Sequence, residues 1–257
     1  MSQYKLLALD MDGTLLNDEL HVSDVNLIWI KKAIEQGVIV MLSTGRGYMN
    51  AIGYAEEMGL EAPLITVNGG EIWRRPNDLL RRVTLDTSWV EKLHELTKLY
   101  PKTWFWAYTT ERIFNKENWH ELQGDWSQYQ WLKFGYYDEN IDLINEIRQQ
   151  IEAWQELEIS NSSVYNLEIN PFGISKATAL QHLCSHLSID LKEVIAVGDS
   201  LNDIKAIQAV GLGVAMENAQ DEVKAAADFI TFSNNEHGVA EVIRKYIFNG
   251  VEPLYFS

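Results

Sequence analysis

A chain of 257 residues with 46% hydrophobic content can bury one large core or two modest ones and should fold without help. Its 21 Lys and Arg against 37 Asp and Glu give a net charge of −16, which argues against nucleic acid and anionic membrane surfaces as partners. The single cysteine, Cys184, excludes an internal disulfide framework, and no apolar run approaches the ~20 residues of a membrane helix; a cytoplasmic protein is expected.

The apolar run Leu6 to Leu9 stops abruptly at Asp10, as a buried parallel strand would, and its carboxyl end delivers Asp10, Asp12 and Thr14. In open α/β sheets ligands bind at that edge. Asp12 or Thr14 would equally suit a turn or helix cap, so the pair gains meaning only from residues later in the chain. Ser23 or Asp24 opens a helix carrying Val25, Ile28 and Trp29 that ends near Gly37. Val38 to Leu42 reads as a second two-sided strand. It ends on Ser43-Thr44-Gly45-Arg46, before a helix through Ala51, Ala55 and Met58. A third strand, Leu64 to Val67, ends on Asn68-Gly69-Gly70. Strand, polar tip and helix in repetition are the rhythm of a parallel sheet, and this rhythm runs to about Val83.

From Val83 to about Asn170 the order changes. A helix near Ser88 to Leu99 precedes strands near Thr103 to Tyr108, Arg112 to Phe114 and Tyr129 to Phe134. A helix near Asn140 to Trp154 and strands near Leu157 to Ser160 and Val164 to Ile169 complete the segment. Strands without intervening helices indicate an antiparallel sheet and a second, α+β module. This stretch holds Trp89, Trp104, Trp106, Trp119, Trp126, Trp131 and Trp154, which either pack the module or present a ring-stacking face. By alternation Trp104, Trp106 and Tyr108 share one face, and Tyr129, Trp131 and Lys133 share another; Lys133 is a candidate selector of substrate.

The first rhythm then resumes, with a helix from Lys176 to Leu187, a strand Val194 to Val197 ending on Gly198-Asp199-Ser200-Leu201-Asn202-Asp203, and strands near Gly213 to Met216 and Phe229 to Thr231. The expected domains are therefore a doubly wound, Rossmann-like α/β core of residues 1–82 and 171–257 and an inserted domain of residues 83–170. Cys184 falls in helical register with Leu180, Leu183 and Leu187, as a core residue would. His182 and His186 lie one turn apart without a further zinc ligand and read as surface. Collected at strand tips and helix starts are Asp10, Asp12, Thr44, Arg46, Asn68, Lys176, Asp199, Asn202 and Asp203. Carboxylates from different strands make a hard, oxygen-rich pocket suited to Mg²⁺, and Thr44, Lys176 and the backbone N–H groups after Arg46 suit a phosphate beside it.

The motifs DMDGTLL (Asp10 to Leu16), STGR (Ser43 to Arg46), NGG (Asn68 to Gly70), SKATAL (Ser175 to Leu180), GDSLND (Gly198 to Asp203) and GVAMENA (Gly213 to Ala219), in this order, resemble the haloacid dehalogenase-like hydrolase superfamily. Within it the chain looks most like the Cof-type sugar-phosphate phosphatases, in which the insertion is an α+β cap of type IIB over the active site. The resemblance implies a Mg²⁺-dependent phosphatase acting on small phosphorylated metabolites, sugar phosphates or nucleotide and cofactor phosphates. Asp10 would be the nucleophile that forms an aspartyl-phosphate, and Asp12 the acid–base residue. Thr44, Gly45, Arg46, Asn68, Lys176 and Asn202 would hold substrate, with Thr44 and Lys176 taking part in catalysis. Asp10, Asp12 (through its backbone carbonyl), Asp199 and Asp203 would bind or orient Mg²⁺. A phosphotransferase or phosphomutase would use the same intermediate. A non-catalytic phospho-acceptor module would need neither the inserted domain nor the full acid–base set. Two positions depart from the family pattern: Ala177 follows Lys176 where Gly is usual, and Glu217 stands where many relatives carry Gly. Substrate identity and oligomeric state stay open at this level.

Overall fold

The computed structural model describes residues 2–251. Strands β1 (Leu6–Leu9), β2 (Ile39–Ser43) and β3 (Leu64–Thr66) alternate with helices α1 (Asp24–Glu35) and α2 (Tyr48–Glu57), and an antiparallel hairpin, β4 (Glu71–Arg75) and β5 (Asp78–Arg82), follows. Next come α3 (Thr87–Thr97), β6 (Trp104–Thr109), β7 (Ile113–Asn115), β8 (Trp131–Tyr137), α4 (Ile141–Glu152), β9 (Leu157–Ser160) and β10 (Asn166–Pro171). The chain then runs through α5 (Lys176–Leu187), β11 (Val194–Gly198), α6 (Leu201–Ala209), β12 (Leu212–Ala215), α7 (Asp221–Ala226), β13 (Phe229–Ile230) and α8 (Gly238–Tyr246). Among the described residues no helix is long and apolar enough to cross a membrane.

An eight-stranded sheet runs in the order β13-β12-β11-β1-β2-β3-β4-β5, parallel from β13 to β3 and antiparallel through the hairpin. Both faces are covered, which is why its central strands read as unbroken apolar runs. Leu7 and Leu9 of β1 join one core with Trp29, Ala51, Ile207 and Ile243; Leu6 and Ala8 join another with Leu180, Leu183 and Cys184 of α5. His182 and His186 are exposed on the outer side of α5. Helix starts are set locally: Ser23 caps α1 through the Asn26 N–H, and Ser175 and Thr178 form a reciprocal capping box that begins α5 at Lys176.

Two expectations are corrected. The strand–tip–helix rhythm ends at Gly70 rather than near Val83, because Pro76 and Asn77, the latter at φ 62°, make a turn that folds residues 71–82 into a hairpin. Trp131 and Lys133 do not share a face. Lys133 pairs with Tyr108 and Trp131 with Thr109, so the extra residue, Leu132, is a bulge that turns the two side chains to opposite sides.

That bulge matters because the second sheet, β7-β6-β8-β10-β9, has two unlike faces. One carries Phe105, Phe134, Tyr136, Leu167 and Ile169 against Val90 and Leu93 of α3 and Ile144, Ile147 and Ile151 of α4; Trp119 and Trp131 are buried there, with Trp89, Trp126 and Trp154 packed around them. The other carries Trp104, Trp106, Tyr108, Lys133, Glu168 and Asn170 and looks onto the carboxyl ends of the parallel strands. The tryptophans therefore divide between both readings: five pack the module, and Trp104 and Trp106 line its polar face. Trp131→Ala removes a fully buried indole and should cost about 3–5 kcal/mol, read from the urea midpoint at unchanged slope.

Candidate active site

β1 delivers Asp10, whose N–H still bonds Val197 O of the neighbouring strand, and the chain then turns on Gly13. At φ +75° Gly13 lies so close to the β11 tip that a Cβ would stand 2.6 Å from Asp199 Oδ2. Thr14 crosses the same gap and donates to Asp199 Oδ1 at 2.9 Å. It thus ties the β1 and β11 loops together rather than capping a local turn. At the start of α6 Asp203 divides its oxygens: Oδ2 accepts the Asp199 and Ser200 N–H groups, and Oδ1 accepts Lys176 Nζ at 2.8 Å. Lys176 also donates to Asp10 Oδ1 at 2.6 Å.

Asp10, Asp199 and Asp203 each place an oxygen within 4.8 Å of the others, against the single buried ammonium of Lys176. Burial pushes the Asp10 carboxyl well above the usual range; Lys176 opposes this, while Asp203 and Asp199 add to it. Burial, then Asp203, pushes Asp199 up to about 6. For Lys176 burial works against the charge, but Asp10 and Asp203 outweigh it and hold the ammonium protonated. Three carboxylates facing one cation form a hard donor set short of positive charge, which fits a divalent ion such as Mg²⁺.

Asp12 turns the other way. Arg46 grips it with two bonds, Nε to Oδ2 at 2.8 Å and Nη2 to Oδ1 at 2.5 Å, and lies over the Tyr54 ring. The Asp12 carboxylate is thus outside the carboxylate cluster, and Arg46 is committed to it. Burial is outweighed for Arg46 by the Asp12 hydrogen bond, which raises its affinity for its proton. A cavity of about 220 Å³ is lined by Asp10, Asp12, Thr44, Gly45, Arg46 and Asn202 from below and by Trp106, Tyr108, Lys133, Asn166 and Glu168 from above. Asn68, Lys176, Asp199 and Asp203 stand behind this wall and are not part of its lining.

Asn68 occupies a strained turn. Val67, Asn68 and Gly69 take φ of 55°, 54° and 99°, which is costly for a β-branched residue. The Val67 and Asn68 N–H groups bond Arg46 O and Thr44 O, and Asn170 Nδ2 donates to Val67 O. Gly69 presses on the start of α5, where a Cβ would come 2.4 Å from Ser175 O. The Asn68 amide is fully oriented. Its Nδ2 must face the acceptor-only Glu168 Oε2, at 2.7 Å, so its Oδ1 takes Asn202 Nδ2, at 3.2 Å. That leaves Asn202 Oδ1 buried, on a cavity-lining residue, without a partner among the described residues.

Sequence reasoning missed Glu168, Asn170, Asn166 and Ser162 as cavity or bridging groups. The alternation of Asn166, Glu168 and Asn170 with Leu167 and Ile169 was visible, but a polar strand face ordinarily meets water. Here Glu168 accepts Lys133 Nζ at 2.5 Å, and Lys133 also donates to Gly45 O at 2.7 Å, joining the two sheets. Ala177 sits in the first turn of α5 without disturbing it. Glu217 is exposed beside Asn218, whose amide donates to Gly13 O at 2.8 Å.

A model of the haloacid dehalogenase-like hydrolase family matches residues 7–243. The chain is 44% identical over 243 residues to the 5-amino-6-(5-phospho-D-ribitylamino)uracil phosphatase YcsE of Bacillus subtilis (strain 168), covering 95% of this chain and 96% of that one. It superposes on a solved haloacid dehalogenase-like hydrolase from B. subtilis with a TM-score of 0.86 at 26% identity, covering 93% of this chain and 99% of the other. The HAD subclass IIB sugar phosphatase BT4131 shares the fold, with a TM-score of 0.80 at 19% identity over 96% of this chain and 100% of its own.

Glu168→Ala leaves the Lys133 charge buried without its counter-charge and should cost about 3–5 kcal/mol in chemical unfolding, whereas Lys133→Met with Glu168→Gln, which removes both charges and keeps an acceptor for Asn68, should recover most of that loss.

Proposed function

The chain belongs to the haloacid dehalogenase-like hydrolase family and is a phosphatase of that family, and from this premise we propose that it hydrolyses phosphate monoesters of small metabolites through an aspartyl-phosphate on Asp10, with Mg²⁺ as cofactor. The observation that carries the reading is the Asp10, Asp199 and Asp203 cluster around Lys176, of which Asp10 reaches the cavity roofed by the second sheet while the other three stand directly behind it. We take residues 83–170 as a cap inserted between core segments 1–82 and 171–257.

In this reading Lys176 holds Asp10 Oδ1, so the nucleophile has one oxygen fixed and the other free for in-line attack. The Thr44 hydroxyl and the Gly45 N–H steady the transferring group. Arg46 holds the Asp12 carboxylate at the cavity wall in the absence of ligand; released from that grip and protonated, Asp12 gives its proton to the leaving oxygen, and the resulting carboxylate then takes one from the attacking water. Asn202 Oδ1, left without a donor by its own network, accepts a hydroxyl of the bound substrate. Asp10, Asp199 and the Asp12 carbonyl, with Asp203 orienting the site, would hold Mg²⁺, whose charge would neutralise that of the phosphoryl oxygens. For substrate, the name of the 44% identical relative favours a phosphorylated ribitylamino-pyrimidine.

Phosphate release should follow addition of Mg²⁺, stop with chelator and vanish in a folded Asp10→Asn protein; release that survives Asp10→Asn would remove the nucleophile assignment. A second expectation concerns pH. Asp199, raised in the folded state to about 6, favours the metal-free fold below its ordinary 3.8, and this contribution is lost as pH rises through about 6. Ionised Asp199 is the form Mg²⁺ needs. The gain in melting temperature on adding Mg²⁺ should therefore be small below about pH 5 and large above about pH 7; a gain independent of pH would exclude Asp199 from the metal site.

A further inference from the structure

A second cavity, of about 400 Å³, adjoins the one over Asp10 and shares Tyr108 as a wall; it lies between the start of α2, the β4–β5 hairpin and the β6–β7 turn. The two are contiguous along the chain as well, since Gly45 and Arg46 line the first and Gly47 and Tyr48 the second. Its walls combine flat rings with the Arg82–Glu71 pair, while Glu111 and Arg112, the latter paired with Glu121, stand at the exposed rim. Tyr48 and Trp73 stack with centroids 3.9 Å apart, and Tyr108 faces the same space. Arg82 is held from behind: Glu71, almost fully buried and also accepting the Thr66 hydroxyl, takes Arg82 Nε at 2.8 Å and Nη2 at 2.7 Å.

That grip uses one edge of the guanidinium. The other edge of Arg82 is turned away from Glu71, and the side chain lines the cavity and is 26% exposed. Because the Glu71 carboxylate cancels its charge, the pair is a poor anion site and a good rigid donor for neutral oxygens.

We propose that this cavity, resting on the phosphatase reading above, receives the leaving group of the substrate and takes a flat, carbonyl-bearing heterocycle joined through a hydroxylated chain to the phosphate. Arg82 donates to the ring carbonyls, and the Trp73 and Tyr108 side of the cavity covers the ring. The open aromatic strip of Trp104, Trp106 and Tyr137 on the other side of Tyr108 is the rival location. No charged side chain lines it; its amide donor is Asn115, whose Oδ1 is taken by the Glu117 and Asn118 N–H groups, and it lacks the two-pronged donor that Arg82 presents.

The test compares kcat/KM for 5-amino-6-(5-phospho-D-ribitylamino)uracil with that for glycerol 3-phosphate, in the full chain with Mg²⁺. Thr110→Trp fills the cavity from its half-buried rim, and Arg82→Lys keeps the charge facing Glu71 but removes the donor fork. Each should lower the ratio of the two constants by about tenfold or more, while Trp104→Ala, which touches the strip and not the cavity over Asp10, changes it less. A ratio unmoved by Thr110→Trp, or moved only by Trp104→Ala, overturns the proposal. If the unaltered protein hydrolyses neither compound, the substrate reading under Proposed function fails by itself. Calorimetric binding of the same ring compound, abolished by Thr110→Trp, would then support the ring site, and binding unaffected by it would overturn that site too.

Discussion

Everything in this molecule is arranged around an excess of buried negative charge. Asp10, Asp199 and Asp203 crowd a single ammonium at the edge of a parallel sheet; burial lifts Asp10 and Asp199, and repulsion from the neighbouring carboxylates adds to it. A fold selected for stability alone would not place three carboxylates around one lysine. Each has a reason to stay: Asp10 ends the central strand, Asp203 caps α6 while holding Lys176, and Asp199 is braced by Thr14 and Ser200. The backbone is shaped to allow the crowding, with a glycine where Asp199 leaves no space for a side chain.

A second network holds the roof. Lys133 and Glu168 come from the antiparallel sheet, yet their partners, Gly45 O and Asn68, belong to the loops of the parallel one. Asn68 is the meeting point, and its strained turn also braces the backbone of Thr44 and Arg46 and the start of α5. Tension in that turn is therefore sustained from above and below, as expected where surrounding contacts over-determine an unfavourable backbone.

Much of this was legible. Unbroken apolar runs gave the parallel strands, and the helix read from Lys176 to Leu187 has those bounds in the structure. The motif residues could be grouped because they all fell at strand tips and helix starts. Three things were hidden, for physical reasons. The hairpin of residues 71–82 mixes Ile72 and Trp73 with paired arginines in a pattern that suits neither period. The Leu132 bulge depends on what β8 pairs with, not on its own alternation. Glu168 and Asn170 look like a solvent face until a second sheet is set opposite them. The division of the tryptophans was hidden for the same reason, since it is the bulge that puts Trp131 into the apolar layer and Lys133 over the cavity.

The Lys133 bridge has a kinetic meaning. Its ammonium is almost wholly screened from water, held by an acceptor on each sheet. The sheets cannot part without rehydrating that charge and its carboxylate together, so opening is a discrete event rather than gradual loosening. The space above Asp10, about 220 Å³, is thereby held at one height, with room for a phosphoryl group while the rest of a ligand extends into the adjoining cavity.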